Sequence, residues 1–248
     1  MKLGIPMARG NTAEIYLRDN KIIKLFNDYL PYNEAKYEAN KQKLAYSLGL
    51  SVPKIVDVTV INGKQAIIME YIRGNTFGDI VLENMDKAEY YMNKSIDIQR
   101  KVHSMQADSL ELMKDKLRRQ IVQVNILEKR YKESLLHKLD SFVYGNRLCH
   151  GDYHLFNLIA SDNKVTIIDW VDSSSGDIRA DVCRSYLLYS ELSRDLAEMY
   201  LKLYCIKSGL TEEEIVQWMP IIAGARLSEY PSKEKAEYLL DIVVQYCS

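Results

Sequence analysis

The 248-residue chain is 47% hydrophobic and 27% charged, which is ordinary for a folded globular protein and argues against disorder. A formal net charge of -1 and a pI near 6.5 supply no global field that would favour nucleic acid or an anionic membrane surface. No apolar run approaches a membrane span or a signal h-region, and four scattered cysteines without a C-x-x-C pair favour reduced thiols over zinc or disulfides, so a cytoplasmic protein is expected.

Residues 13–17 and 22–26 are β-rich and flank the polar turn Arg18-Asp19-Asn20-Lys21, which predicts a hairpin. From Pro31 the pattern turns helical, with Asn33 as the cap, Glu34 and Glu38 in the early turns, and Leu44, Ala45 and Leu48 on an apolar face ending at Gly49. Pro53 blocks further helix, and 55–61 with 65–69 form a second hairpin across Asn62-Gly63, the strongest short turn signal. Four or five antiparallel strands and one helix therefore make a small lobe, 1–73. In the larger lobe, 74–248, apolar spacing near 3.6 predicts helices over 86–105, 109–141, 178–208, 211–226 and 232–246. Only 147–170 interrupts them: Leu148, 157–160 and 165–168 read as brief strands, the last two turning at Ser161-Asp162-Asn163. The expectation is an α+β fold of two lobes joined through 70–74, with a cleft between them.

The segment that carries chemistry is 149–170. It sets His150, Asp152, Asn157 and Asp169 at the spacing of a phosphoryl-transfer site, where one carboxylate takes the acceptor's proton while an amide and a second carboxylate hold magnesium. Asp152 is the expected base. Asn157, five residues on, reaches the same metal, and Asp169 ends the apolar run 165–168, where a carboxylate is costly unless a cation or metal meets it. His150 supports the loop backbone rather than reacting. Asp177 and Asp181 lie where the chain enters a helix; one is a candidate cap and the other a candidate tie back to the loop, with plain helix-start acids as the alternative. By average residue usage, His-x-Asp-x-x-x-x-Asn arises by chance in a chain this size with a probability on the order of 10⁻², and the downstream strand ending in Asp169 lowers it further, so the motif is specific.

This segment resembles the HGDxxxxN loop and following Asp of the aminoglycoside phosphotransferase family, relatives of protein and choline kinases. Gly10-Asn11-Thr12-Ala13-Glu14-Ile15-Tyr16, Met69-Glu70-Tyr71-Ile72-Arg73-Gly74 and Gly176-Asp177-Ile178-Arg179-Ala180-Asp181-Val182 match the family's patterns in the same order, so the resemblance spans the chain. It implies a two-lobed, protein-kinase-like fold with ATP or GTP in the cleft and Mg2+ beside it. Gly10 is the one glycine of the phosphate loop, and Asn11 and Thr12 offer amide or hydroxyl donors in place of a second. Lys24 lies in an apolar strand and needs a buried partner, Glu38 or, as second choice, Glu34; by resemblance the pair grips the α and β phosphates. Lys21, in the turn, is the rival lysine. Glu70 and Ile72 present backbone groups to the purine edge, Ile159 and Ile168 form an apolar floor, and Ile22 replaces the small residue many kinases carry over the adenine.

Between Trp170 and Asp177 there is space for a short loop only, which implies a small-molecule acceptor rather than a peptide. Residues 186–248 carry ten acids against six Lys/Arg, a lean that suits an amine-bearing alcohol such as an aminoglycoside, although charge runs are usually solvated helix faces. Asp172 is placed to touch the acceptor, with a solvated loop acid as the alternative. The readings that compete are a nucleotide-binding regulator of the same fold without turnover, and a metal-dependent hydrolase using the same carboxylates.

Overall fold

The structure, a computed structural model, describes residues 3–10, 12–161 and 164–247. In chain order, strands β1 (Ala8–Arg9), β2 (Ala13–Arg18) and β3 (Lys21–Phe26) lead to helix α1 (Glu34–Ser47), β4 (Ile55–Ile61), β5 (Lys64–Glu70), β6 (Asn75–Thr76) and α2 (Phe77–Glu83). Helices α3 (Ala88–His103), α4 (Met113–Gln123) and α5 (Lys129–Ser141) follow, then strands β7 (Arg147–Cys149), β8 (Leu158–Ser161), β9 (Lys164–Ile167) and β10 (Ser174–Gly176). The remainder is helical: α6 (Ile178–Leu192), α7 (Arg194–Ser208), α8 (Glu212–Val216), α9 (Met219–Arg226) and α10 (Lys233–Cys247). Backbone packing divides the chain into two compact units, Met1–Glu83 with Phe156–Val171, and Asn84–Leu155 with Asp172–Ser248.

The first unit is built on an antiparallel five-stranded sheet in the order β1-β2-β3-β5-β4. Both predicted hairpins are present. Asp19 and Asn20 at φ 48 and 57, and Asn62 and Gly63 at φ 52 and 84, take the left-handed backbone that two-residue turns between twisted strands need. Strand alternation then sorts the side chains. Ala13, Phe26 and Ile67 pack against Ala35 and Ala39 of α1, while Tyr16, Ile23, Leu25 and Ala66 form a separate cluster. Lys24 has the parity of Phe26, so it points to the α1 face, and that is how a lysine comes to be buried there. Asn33 occupies the N-cap position of α1, but its side chain makes no capping bond.

The segment 156–171 completes this unit. Strands β6, β8 and β9 form a three-stranded sheet; Ile167 N–H donates to the Ser51 carbonyl at 2.8 Å, and the Ser51 and Thr166 hydroxyls lie 3.1 Å apart. The expected turn residues Asp162 and Asn163 lie outside the described residues. Gly74 makes the β6–β8 approach possible: a Cβ there would fall 1.9 Å from the Ala160 carbonyl oxygen.

In the second unit α9 is buried along its whole length, with Gly224 closing onto Leu135 of α5. Three predicted helices are each broken in two, the stretch 211–226 dividing into α8 and α9 across Gln217 and Trp218. The stretch 109–141 stops at Val124 so that Val124 and Leu127 can both turn inward. The stretch 178–208 breaks at Ser193, extended at φ -160, whose hydroxyl accepts from Leu196 N–H and starts α7 afresh. Antiparallel β7 and β10 pair Leu148 with Ser175 and Cys149 with Ser174, which fixes both ends of the loop between β7 and α6.

Replacing Gly74 by Ala is expected to cost on the order of 3 kcal/mol, at the upper end of single substitutions, because backbone rather than a flexible side chain meets the new methyl. Urea unfolding checks this; an unchanged midpoint would contradict the close β6–β8 approach.

Candidate active site

In the first unit, Lys24 Nζ lies 2.7 Å from Glu38 Oε1 on α1 and 3.4 Å from Asp169 Oδ1, just past β9. Glu38, not Glu34, is thus the helix partner, and Lys21 is exposed at the start of β3. Burial works against the ammonium, but the two carboxylates outweigh it and hold Lys24 protonated above the ordinary lysine value. Removing either charge of such a buried pair costs roughly 3–5 kcal/mol, because the other is left uncompensated. Asp169 sits at φ 61, a left-handed conformation uncommon outside glycine and tolerated best by Asp and Asn. Its second carboxylate oxygen has no partner among the described residues, and the side chain is 41% exposed. A hard, half-solvated oxygen beside a cation suits magnesium. Asn157 is buried at the same end of the β8–β9 hairpin, its carbonyl accepting from Ile168 N–H at 3.0 Å.

A cavity of about 330 Å³ opens at this triad. Its lining includes Lys24, Glu38, Glu70, Ile72, Ile159, Ile168 and Asp169 of the residues singled out by sequence. Ile22 also faces it, with Met7, Ile15, Met69 and Gln42, which sequence reasoning did not assign to the pocket. Gln42 is held by its Nε2 donating to the Pro53 carbonyl at 2.7 Å. Glu70 N–H is taken by the Lys54 carbonyl at 3.0 Å. Gly10 donates its N–H to Ala13 at 2.9 Å and Thr12 accepts from Asn27; both lie in the β1–β2 turn and not in the lining, and Asn11 lies outside the described residues.

The second unit holds Asp152 in the loop after β7. Asp181 of α6 accepts from Gly151 N–H at 2.7 Å and from His150 N–H at 3.3 Å. Its other contact is His103, whose Nε2 lies 2.8 Å from Asp181 Oδ2 while Nδ1 lies 2.8 Å from the Tyr204 hydroxyl. Asp181 is the tie to the loop and Asp177 the α6 cap, its carboxylate accepting from Arg179 N–H. Although burial pushes Asp181 upward, His103 and the Gly151 amide hold it below the usual carboxylate range. Gly151, at φ 81, has Asp172 backbone where a Cβ would be, 2.3 Å away from its oxygen. Asp152 N–H donates back to His150 Nδ1 at 3.2 Å, confirming the histidine as a support. Burial raises the Asp152 carboxyl too, but His154, Arg184 and His150 together lower it well below its ordinary value, so the carboxylate is ionised. His154 Nε2 stands 3.5 Å from it. Asp172 is tied by one oxygen to Lys116 at 2.7 Å; burial is again outweighed, by Lys116 and Arg184, and its pKa is lowered to about 2. In the one cluster with a metal-ligand look among the described residues, His103 and Asp181 are committed to this support, while the Cys149 thiol donates to the Asp177 carbonyl at 3.5 Å and is pushed well above its normal value by burial.

Residues 5–215 match the phosphotransferase enzyme family (APH). The chain belongs to this family. Among curated relatives, it is 24% identical over 210 residues to a LicA homolog of Mycoplasma capricolum, covering 82% of this chain and 79% of that one. It is 25% identical over 178 residues to human acyl-CoA dehydrogenase family member 11, where the match spans 61% of this chain but only 23% of the human one. Solved phosphotransferases share the fold: aminoglycoside phosphotransferase APH(4)-Ia, crystallised with ADP and hygromycin B, aligns at TM-score 0.73 with 10% identity over 98% of this chain and 92% of its own. A choline/ethanolamine kinase family protein from Mesorhizobium loti aligns at 0.62 with 15% identity, over 96% of this chain and 85% of its own. The two-lobed kinase-like fold read from the sequence is therefore that of the family.

Asp181 gives a pH test. Its folded pKa is depressed, so its stabilisation is complete above the unfolded carboxylate value and is lost as pH falls through the folded one. Asp181→Asn is expected to lose about 2 kcal/mol near neutrality, with the gap to wild type closing below about pH 4. Denaturant titrations at stepped pH measure it; a gap that stays constant down to the acid limit of folding would exclude a charged Asp181.

Proposed function

We propose that this phosphotransferase moves the γ-phosphoryl of ATP or GTP to a hydroxyl of a small molecule, with Asp152 as base and Mg2+ held by Asn157 and Asp169. The observation that carries the reading is Lys24, kept protonated between two carboxylates at the mouth of an apolar-walled cavity. An ammonium so placed offers its charge to phosphate oxygens, while Ile22, Ile159 and Ile168 offer apolar walls and 70–72 backbone groups to a purine. In lobe terms, 1–73 supplies Lys24 and most of the nucleotide seat, which Ile159, Ile168 and Asp169 join, and the rest of 74–248 supplies the base and the acceptor seat. Gly10, Asn11 and Thr12 belong to this reading as the phosphate loop. When bound, the magnesium ion neutralises charge on the phosphates. The chain's own residues do the rest: Lys24 orients the nucleotide, and Asp152 receives the acceptor's hydroxyl proton as the acceptor oxygen bonds to the γ-phosphorus and the bond to the bridging oxygen breaks, releasing the nucleoside diphosphate.

The acceptor we propose is an aminoglycoside or another amine-bearing alcohol. Support comes from Asp172, ionised and with one oxygen unpartnered among the described residues. The acidic lean of the C-terminal helices adds less than its count suggests, since Glu191, Glu198, Glu229 and Glu237 all sit in ion pairs. The nucleotide requirement suits work in the cytoplasm.

Asp152→Ala should lower transfer by about 10²–10⁴, the usual worth of a general base, with nucleotide affinity nearly unchanged. Asp169→Ala should weaken magnesium-nucleotide binding as well. Radiolabelled transfer from γ-labelled ATP to aminoglycosides, amino alcohols and sugars, beside nucleotide titrations, reads both; equal turnover in the Asp152 variant refutes its role.

A further inference from the structure

The peptide unit that precedes Asp152 is held at both ends. Its N–H goes to His150, and its oxygen, the Gly151 carbonyl, accepts from Arg184 Nε. Arg184 lies three residues beyond Asp181 on α6, so one helix face supplies both the carboxylate under the Gly151 amide and the guanidinium over the Gly151 carbonyl. The Arg184 side chain is 12% exposed, and its guanidinium is fixed in turn by Glu229, with Nη1 to Oε1 at 2.6 Å. Burial opposes its charge, but Glu229, Asp172 and Asp152 more than restore it. Glu229 closes a 3-10 turn, Leu227–Glu229, that ends on Tyr230 in a left-handed backbone at φ 53. Arg226, buried, lies 3.5 Å from the other Glu229 oxygen and 2.5 Å from Glu191, which Lys235 of α10 also meets at 2.8 Å. A chain of alternating charges therefore runs from α10 to the carbonyl next to the base.

We propose that Arg184 is the positioning residue for Asp152, and that Glu229 sets Arg184 in the geometry this requires. Arg184 does not exchange a proton; it fixes the plane of the peptide from which Asp152 projects. A lysine at 184 can meet the carbonyl or Glu229 but not both, because only the guanidinium fork offers separated donors in fixed directions. Glu229, whose contacts with the loop run through Arg184 alone, matters only while Arg184 is present. The assignment of chemistry to Asp152 rests on the phosphotransferase reading, whereas the latch itself does not.

The test uses the full chain with Arg184→Gln, Arg184→Lys and Glu229→Gln, read in two ways. Hydrogen–deuterium exchange over 149–153 should quicken about tenfold in each variant, while 22–26 stays as in wild type. Transfer from magnesium-ATP, to water or to any acceptor found, should fall about 100-fold in R184Q and about tenfold in R184K and E229Q, the loss expected of a slightly misplaced group. The KM for ATP should stay within twofold, and adding E229Q to R184Q should cost nothing further. Unchanged exchange at 149–153 in E229Q and R184K, which are the milder changes, overturns the latch even if R184Q fails to fold. So does a double variant whose loss is the product of the two singles. Faster loop exchange in a protein that transfers no phosphoryl to anything supports the latch and removes the phosphotransferase reading instead.

Discussion

A lysine ammonium in the interior of the first unit is tolerated only because two carboxylates come to it, one from 14 residues and one from 145 residues further along the chain. Much of that unit follows from this constraint. Strand parity in β3 sends Lys24 to the α1 face, α1 brings Glu38, and the return of 156–171 to the small sheet brings Asp169. Lys41 of α1 adds a second tie to the same return, donating to the Val171 carbonyl at 2.7 Å. The ionised groups at the mouth of the cavity are thus part of what holds the unit together.

The loop in the second unit obeys the same logic with the sign reversed. Asp152 is an acid that burial would neutralise, and it is kept charged by His154, Arg184 and His150. Around it the polar groups are arranged in pairs, Asp172 with Lys116, Glu229 with Arg184, Asp181 with His103, while His154 stands beside Asp152 itself. The proposed role of Asp152 as base needs a carboxylate that is both ionised and immobile, and the loop's backbone contacts to Asp181 and Arg184 restrain the peptides before it.

Residues of the site were legible where a costly feature stood out against its surroundings. Lys24 inside an apolar strand, Asp169 at the end of another, and the His150-x-Asp152 spacing each demanded a partner that only folding could supply. The hairpins were legible because Asn62-Gly63 and Asp19-Asn20 have few other conformations to take. The supports were not. His103, Tyr204 and Arg184 lie on amphipathic helices, where one polar residue on a buried face looks like any other until the helix it meets is known. The destination of 156–171 was equally hidden: sequence assigns it to the larger lobe by neighbourhood, while its packing on Ser51 and Asn75 is set by contacts over 80 residues away in the chain. The breaks at Val124 and Ser193 reflect tertiary burial and capping overriding a helical period that continues through both.

The proposal that Lys24, Glu38 and Asp169 form a magnesium-nucleotide seat is tested most directly by calorimetric titration of the wild-type chain with a non-hydrolysable ATP analogue, in magnesium and again in EDTA. Saturable one-to-one binding that weakens at least about tenfold when magnesium is removed, roughly 1.4 kcal/mol, is expected. Absence of binding in magnesium, or equal affinity in EDTA, would contradict it.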